Sequence, residues 1–224
     1  GLIFSIKSLP EKNSYAFQSF LYKIRNTLNR EGLKLAVKVP LHFESGLYQG
    51  KGDGKSIQDL KDIASIAHLV FLRTYKNPLE FTSPGPIFSL NYLKDALKNL
   101  ARLVDFWKIV IVVPAFGVDF SSGLGTVPLR KSYQEIKEII ELYEPVVLKP
   151  AREKSKVFRY RSFRVSHTVY FENSESIRAY TELAQKYCVA GIAIADLDDA
   201  DPQTWHALRE NFKVIKDGGG VGDF

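Results

Sequence analysis

Gly1-Leu2-Ile3-Phe4-Ser5-Ile6-Lys7-Ser8-Leu9-Pro10 opens the chain, and its reading decides the fold. Five of residues 2–9 are Leu, Ile or Phe, and Pro10 closes the run, which predicts a short buried strand. Residues 14–29 place Phe17, Phe20, Leu21, Ile24 and Leu28 at helical spacing behind a cap at Asn13 or Ser14, and Gly32 stops them. Residues 33–39 are apolar again and end at Pro40. Strand, helix, strand is the unit of a parallel α/β sheet, and in a barrel of such units chemistry sits at the carboxyl ends of the strands. Ser5 and Lys7 occupy that end of the first strand.

The pattern continues outward. Residues 44–56 are a glycine-rich loop, and 57–67 a helix with Leu60, Ile63 and Ala64 inward. Residues 68–75 read as a strand, 76–86 as a loop and 90–103 as a helix. Residues 109–113 are the most strand-like run, and 114–125 read as loop. The character then changes. Residues 133–143 predict a helix, and 157–164 with 167–171 predict two antiparallel strands. Ser174 is expected to cap a helix reaching 187; residues 190–197 are a final buried strand and 202–211 a closing helix. The parallel-type strands number five, so they do not close an eight-stranded barrel.

Composition bounds the function. The 224 residues can hold one domain with a sizeable core. Net charge is +6 with a pI near 9.2, which permits acidic partners without requiring them. No apolar run approaches the roughly 20 residues of a membrane span, so no membrane partner is expected. Cys188 is alone, which excludes an internal disulfide and predicts a buried, inert thiol. The four histidines show no metal-ligand spacing, and no motif calls for a cofactor. Gly-Lys-Gly-Asp-Gly at 50–54 lacks the register of a phosphate loop and reads as a turn.

Six local patterns agree in order. Residues 1–10 resemble the catalytic strand of glycoside hydrolase family 18, the chitinase and chitinase-like family. His68-Leu-Val-Phe-Leu-Arg-Thr-Tyr75 is similar to its sixth strand, and Lys108-Ile-Val-Ile-Val-Val-Pro-Ala-Phe-Gly117 to its seventh. Ser132-Tyr-Gln-Glu-Ile136 resembles the opening of its α+β insertion, and residues 169–177 the segment before its last barrel helix. Val189-Ala-Gly-Ile-Ala-Ile-Ala195 looks like its eighth strand. The resemblance implies an α/β (β/α)8 TIM barrel, represented by strands four to eight. Residues 1–125 and 186–224 would be barrel, and 126–185 the α+β insertion between strands seven and eight.

The resemblance also implies a site. In the family a glutamic acid protonates the leaving oxygen, and an aspartate two residues earlier holds the substrate's acetamido group. Here the glutamate position is Lys7, the aspartate position Ser5 and the preceding acid position Ile3. An ordinary lysine is a poor proton donor at neutral pH. The aspartate after Tyr75 is Lys76, the tyrosine of the seventh-strand motif is Phe116, and the tryptophan under the sugar is Ala195. Tyr75 keeps its type, and Asp119 is an acid just beyond the seventh strand. Asp196, Asp198, Asp199 and Asp201 read as solvated or helix-capping carboxylates rather than a calcium loop.

Residues 149–164 are basic, with Lys154, Lys156, Arg159, Arg161 and Arg164 interleaved by Phe158, Tyr160 and Phe163. This is a solvated edge or a site for acidic glycan; nothing resembles a nucleic-acid recognition motif. The expectation drawn from these residues is a chain that is not an enzyme, a secreted, extracellular chitinase-like protein binding chitin-type or acidic glycan in a matrix or signalling role. Two alternatives stand beside it. One is an active hydrolase with displaced acids, and the other a subunit whose first three barrel strands come from a second chain or precursor half. A chain that opens inside a buried strand is also expected to have lost its natural start.

Overall fold

Alternation along the parallel strands sorts this chain into layers. The computed structural model describes residues 1–5, 14–41, 55–123, 125–150 and 153–213. Lys7, most of the loop expected at 44–56, the cap at Asn13 and Arg152 therefore lie outside the described residues.

The main sheet has five parallel strands: β1 (Leu2–Ser5), β2 (Leu35–Pro40), β3 (Leu69–Arg73), β4 (Ile109–Pro114) and β9 (Gly191–Ala195). They lie side by side in chain order. Register runs from Phe4 opposite Val37 to Val70 opposite Ile109 and Pro114 opposite Ala195. One face carries Leu35, Val37, Val39, Val70, Leu72, Ile109, Ile111 and Val113, all fully or almost fully buried. Against it pack α1 (Ser14–Arg30), α2 (Lys55–Ile66), α3 (Leu90–Leu100) and α5 (Ser174–Lys186), through residues such as Leu21, Leu60, Leu93, Leu97, Ile177 and Tyr180. Sequential strands with these four helices on one side are the arc of a (β/α) barrel, not a doubly wound sheet. The other face carries the alternate residues, Phe71, Val112, Ala193 and Ala195, and forms the inner wall.

The second sheet is antiparallel, in the order β6 (Leu129–Lys131), β5 (Gly117–Ser121), β8 (Val165–Phe171), β7 (Lys156–Ser162). Helix α4 (Tyr133–Tyr143) covers one side, with Ile136, Phe158, Val169 and Phe171 between them. Its ends match the sequence expectation because a capping box defines its start: Ser132 accepts from the Glu135 N–H, and Glu135 accepts from the Ser132 N–H. A short helix α6 (Thr204–Arg209) closes the described chain.

Several expectations are corrected. β1 was read as buried, but Leu2 and Ile3 are 42% and 55% exposed. It is an edge strand, paired among the described residues to β2 alone, and only Phe4 reaches a partner ring, in α1. Phe20 is 45% exposed rather than inward; it meets Phe4 at the rim of α1. Residues 117–121, read as loop, are β5. Gly117 allows this, since a Cβ there would sit 2.9 Å from Phe171 Cβ and 3.0 Å from the Tyr170 carbonyl oxygen. The second sheet thus draws in residues before 125, while α5 packs in the barrel core. Asn173, not Ser174, caps α5, accepting from the Ser176 N–H. Cys188 is exposed: it follows the end of α5 in a left-handed turn, φ 51°, which swings it out of the core.

Candidate functional site

The carboxyl ends of β3, β4 and β9 meet the second sheet at one place. Tyr75 follows β3, Phe116 follows β4, and Ala195 ends β9. They form one buried apolar cluster with Ile87, Val112, Val118 and Phe120. The Tyr75 and Phe116 rings meet edge to face at 5.6 Å between centroids. Burial, and then the nearby Asp196 charge, raise the Tyr75 hydroxyl above its ordinary pKa, so it is a neutral donor here.

Arg130 closes this mouth. It comes from β6, and its guanidinium carbon lies 4.6 Å from the Phe116 ring centroid. Its Nη1 reaches Asp196 at 2.8 Å and its Nε donates to Asp199 at 2.7 Å. Burial would lower the Arg130 pKa, but the two aspartates outweigh it and hold the group charged. Asp196 takes a left-handed conformation, φ 59°, which turns the chain out of β9 toward Arg130. On the other rim Arg73 lies 5.8 Å from the Tyr75 ring centroid and 3.2 Å from Glu80. Burial alone would raise Glu80; the Asn77 N–H at 2.9 Å and Arg73 bring its carboxyl below the usual range.

The expected site residues separate into three groups. Tyr75, Phe116 and Ala195 come together at the mouth, with Lys76 nearby, its Nζ 5.8 Å from the Phe81 ring centroid. Ser5 and Ile3 lie on the strand face opposite Phe4, which packs on α1; both are exposed, and Lys7 is outside the described residues. Asp119 is elsewhere. It is 5% exposed on the α4 side of β5, accepting from Tyr160 at 2.8 Å and facing His167 Nδ1 at 3.0 Å.

The basic stretch divides as well. Arg159 and Arg161 are exposed on β7, and Arg164 sits in the hairpin turn at φ 71° beside the 99% exposed Phe163. Lys154 is half-buried, and Lys156 is ion-paired with Glu175, which Lys149 also contacts. The acidic cluster is structural: Asp196 and Asp199 hold Arg130, and Asp201 accepts from the Ser174 and Gln203 N–H groups. Sequence reasoning missed Arg130, Arg73 and Glu80. The Arg130 partner Asp199 lies 69 residues away, so no local pattern marks it, while Arg73 and Glu80, seven residues apart, fall in a stretch read as strand and loop.

No protein-family model matches the chain. Among curated proteins it is 24% identical over 217 residues to an uncharacterized glycosylase, YvbX, of Bacillus subtilis (strain 168), covering 95% of this chain and 61% of that protein. It is equally 24% identical to the cortical fragment-lytic enzyme of the same organism, over 95% of this chain and 50% of that protein. The chain thus spans from half to about three-fifths of these relatives' lengths.

Among solved structures it is similar to the spore cortex-lytic enzyme SleL of Bacillus megaterium QM B1551, with TM-score 0.83 and 24% identity over 96% of this chain and 49% of that one. A chitinase of Chromobacterium violaceum gives TM-score 0.81 and 21% identity over 94% and 65%. A tobacco class V chitinase in complex with NAG4 gives 0.72 and 14% over 96% and 68%. The fold is therefore of the (β/α)-barrel type seen in these chitinases and cortex-lytic enzymes. These likenesses also correct the expectation that the chain is not an enzyme: the relatives it matches carry the names of glycosylases, lytic enzymes and chitinases.

Proposed function

We propose that this chain carries a glycoside-hydrolase-like function on N-acetylhexosamine glycan, the chitin-type polymer, bound at the mouth where β3, β4 and β9 end. The observation that carries the reading is the convergence of Tyr75, Phe116, Arg130 and Asp196 at the carboxyl ends of parallel strands, where barrels of this type do their chemistry. The edge-to-face ring pair is buried beneath the mouth and seats the Arg130 guanidinium over it. Arg130, Asp196 and Asp199 offer a fixed set of donors and acceptors for its hydroxyls.

Proton transfer falls to a group other than position 7, since Lys7 and Ser5 stand where the resemblance puts the two acids. Of the described carboxylates at the mouth, Glu80 is held below the usual range by Asn77 and Arg73 and is a poor proton donor, which leaves Asp196 and Asp199 for a displaced acid. The expected second chain rests on the two outer strands, β1 and β9, each paired on one side among the described residues. The mass of the purified protein in solution tests that part.

The deciding experiment incubates the purified protein with N-acetylglucosamine oligomers and with cortex fragments, and follows new reducing ends together with calorimetric binding. Binding is expected, with bond cleavage that falls in Asp196→Asn or Asp199→Asn. Absence of both binding and cleavage with all of these glycans overturns the reading.

A further inference from the structure

The second sheet has two faces with different tasks. Val118, Phe120 and Tyr170 point to the barrel mouth. Asp119, Tyr160 and His167 lie on the opposite face, toward α4. Between that face and α4 runs an open cleft of about 450 Å³. Small-ligand sites span roughly 300–1,000 Å³.

The floor of the cleft is built from a buried acid and a stack of rings. The Asp119 carboxylate accepts from the Tyr160 hydroxyl at 2.8 Å, so it meets His167 Nδ1 as an acceptor too. That contact orients the ring, with Nε2 on the edge away from the carboxylate. The Tyr160 ring lies between His167, at 4.5 Å, and Tyr143, at 4.7 Å. Tyr143 is the outermost ring, 37% exposed, and its hydroxyl bonds Ser162 at 2.9 Å. Its orientation is thereby set while part of its surface stays open.

Charge narrows the ligand. Asp119, Glu135 and Glu138 line the cleft against one lysine, Lys131, which is itself paired with Glu135 at 2.9 Å. An excess of carboxylate beside an accessible aromatic ring attracts a cation. A neutral acetamido sugar gains nothing from that charge, whereas a sugar with a free amine does.

We propose that the Asp119–Tyr160–Tyr143 cleft is a second glycan site, selective for a hexosamine residue that bears a free ammonium group. The ammonium sits between Glu138 and the Tyr143 ring, and the sugar hydroxyls meet His167 Nε2. The proposal rests on the reading that the chain engages hexosamine glycan. It adds that de-N-acetylated residues are held on the sheet face turned away from the mouth.

The test is calorimetry at low salt with a glucosamine oligomer, an N-acetylglucosamine oligomer of equal length and a short lysine peptide. The glucosamine oligomer is expected to bind, and Tyr143→Ala and Glu138→Gln are each expected to weaken it about fivefold to tenfold. Tyr143→Phe should retain most of the affinity. Binding of the N-acetylated oligomer should be the same in all variants, and thermal melts check that each is folded. Glucosamine binding that is absent, or unmoved by both variants, overturns the site. A lysine peptide that binds more tightly than the sugar, with the same variant sensitivity, overturns the ligand assignment. Failure of the N-acetylated oligomer alone counts against the mouth reading and is read separately.

Discussion

Arg130 donates from Nε to an Asp199 carboxylate oxygen at 2.7 Å, and this pair ties the second sheet to the loop after β9. The contact spans 69 residues of sequence. It is reinforced by Asp196 and by the Phe116 ring beneath the guanidinium. Arg130→Ala leaves two aspartates facing each other and uncovers the ring. A loss of about 1 kcal/mol is expected, discounted because the side chains are 37% and 24% exposed. Arg130→Lys should recover only part, since an ammonium cannot bridge both carboxylates in a planar fork. Chemical denaturation of the two variants measures this, and equal stability of Arg130→Ala and the parent protein contradicts it.

Glu172 predicts a pH dependence of stability. It follows β8 almost fully buried, bonded by Tyr180 at 2.6 Å and by Ser155, with Ser176 also contributing. Burial pushes its pKa from 4.5 up to about 7, opposed by the hydroxyls and aided by the charge of Glu153. The folded state therefore holds this proton more tightly than the unfolded chain. The stabilisation is fully present below pH 4.5 and is lost as pH rises through about 7, on the order of 3 kcal/mol. Glu172→Gln should flatten the stability profile between those values. A profile unchanged by the substitution refutes the assignment.

Gly117 is expected to resist any side chain. A Cβ there would meet Ile136 Cδ1 at 2.4 Å, Phe171 Cβ at 2.9 Å and the Tyr170 carbonyl oxygen at 3.0 Å. Ile136 can swing its terminal methyl, but the strand backbone cannot withdraw. Gly117→Ala should destabilise by about 1–3 kcal/mol through overpacking. A melt within a degree of the parent protein would show that the two layers can separate at no cost.

Cys188 should react in the native state. Its exposure and its left-handed turn leave the thiol open to a colorimetric disulfide reagent without unfolding. One thiol titrated at native rates is the expected result. Reaction only in denaturant would return it to the core.

The central parallel strands β2 and β4 were legible because their burial is two-sided and local. Ile109–Pro114 is fully buried and reads as strand from composition alone. Helix α4 was legible because Ser132 and Glu135 cap it within four residues. β5 was not, since its partners Phe171 and Lys131 lie far along the chain and its glycine start looks like a turn. The site divided in the same way. Tyr75, Phe116 and Ala195 were marked by the resemblance at the strand ends, whereas Arg130 and the Asp119–His167–Tyr160 group depend on distant contacts.

The sequence by itself determined the order of the parallel strands and their helices, the apolar stripes that bury them, and the residue types at each strand end, because hydrophobic periodicity and capping act over a few residues. Tertiary structure alone decided which side of the second sheet Asp119 faces, that Arg130 reaches across to Asp199, and that Glu172 is buried among hydroxyls. Those outcomes follow from how two sheets stack. A side chain's partner is then set by the packing of layers, and separation along the chain no longer constrains it.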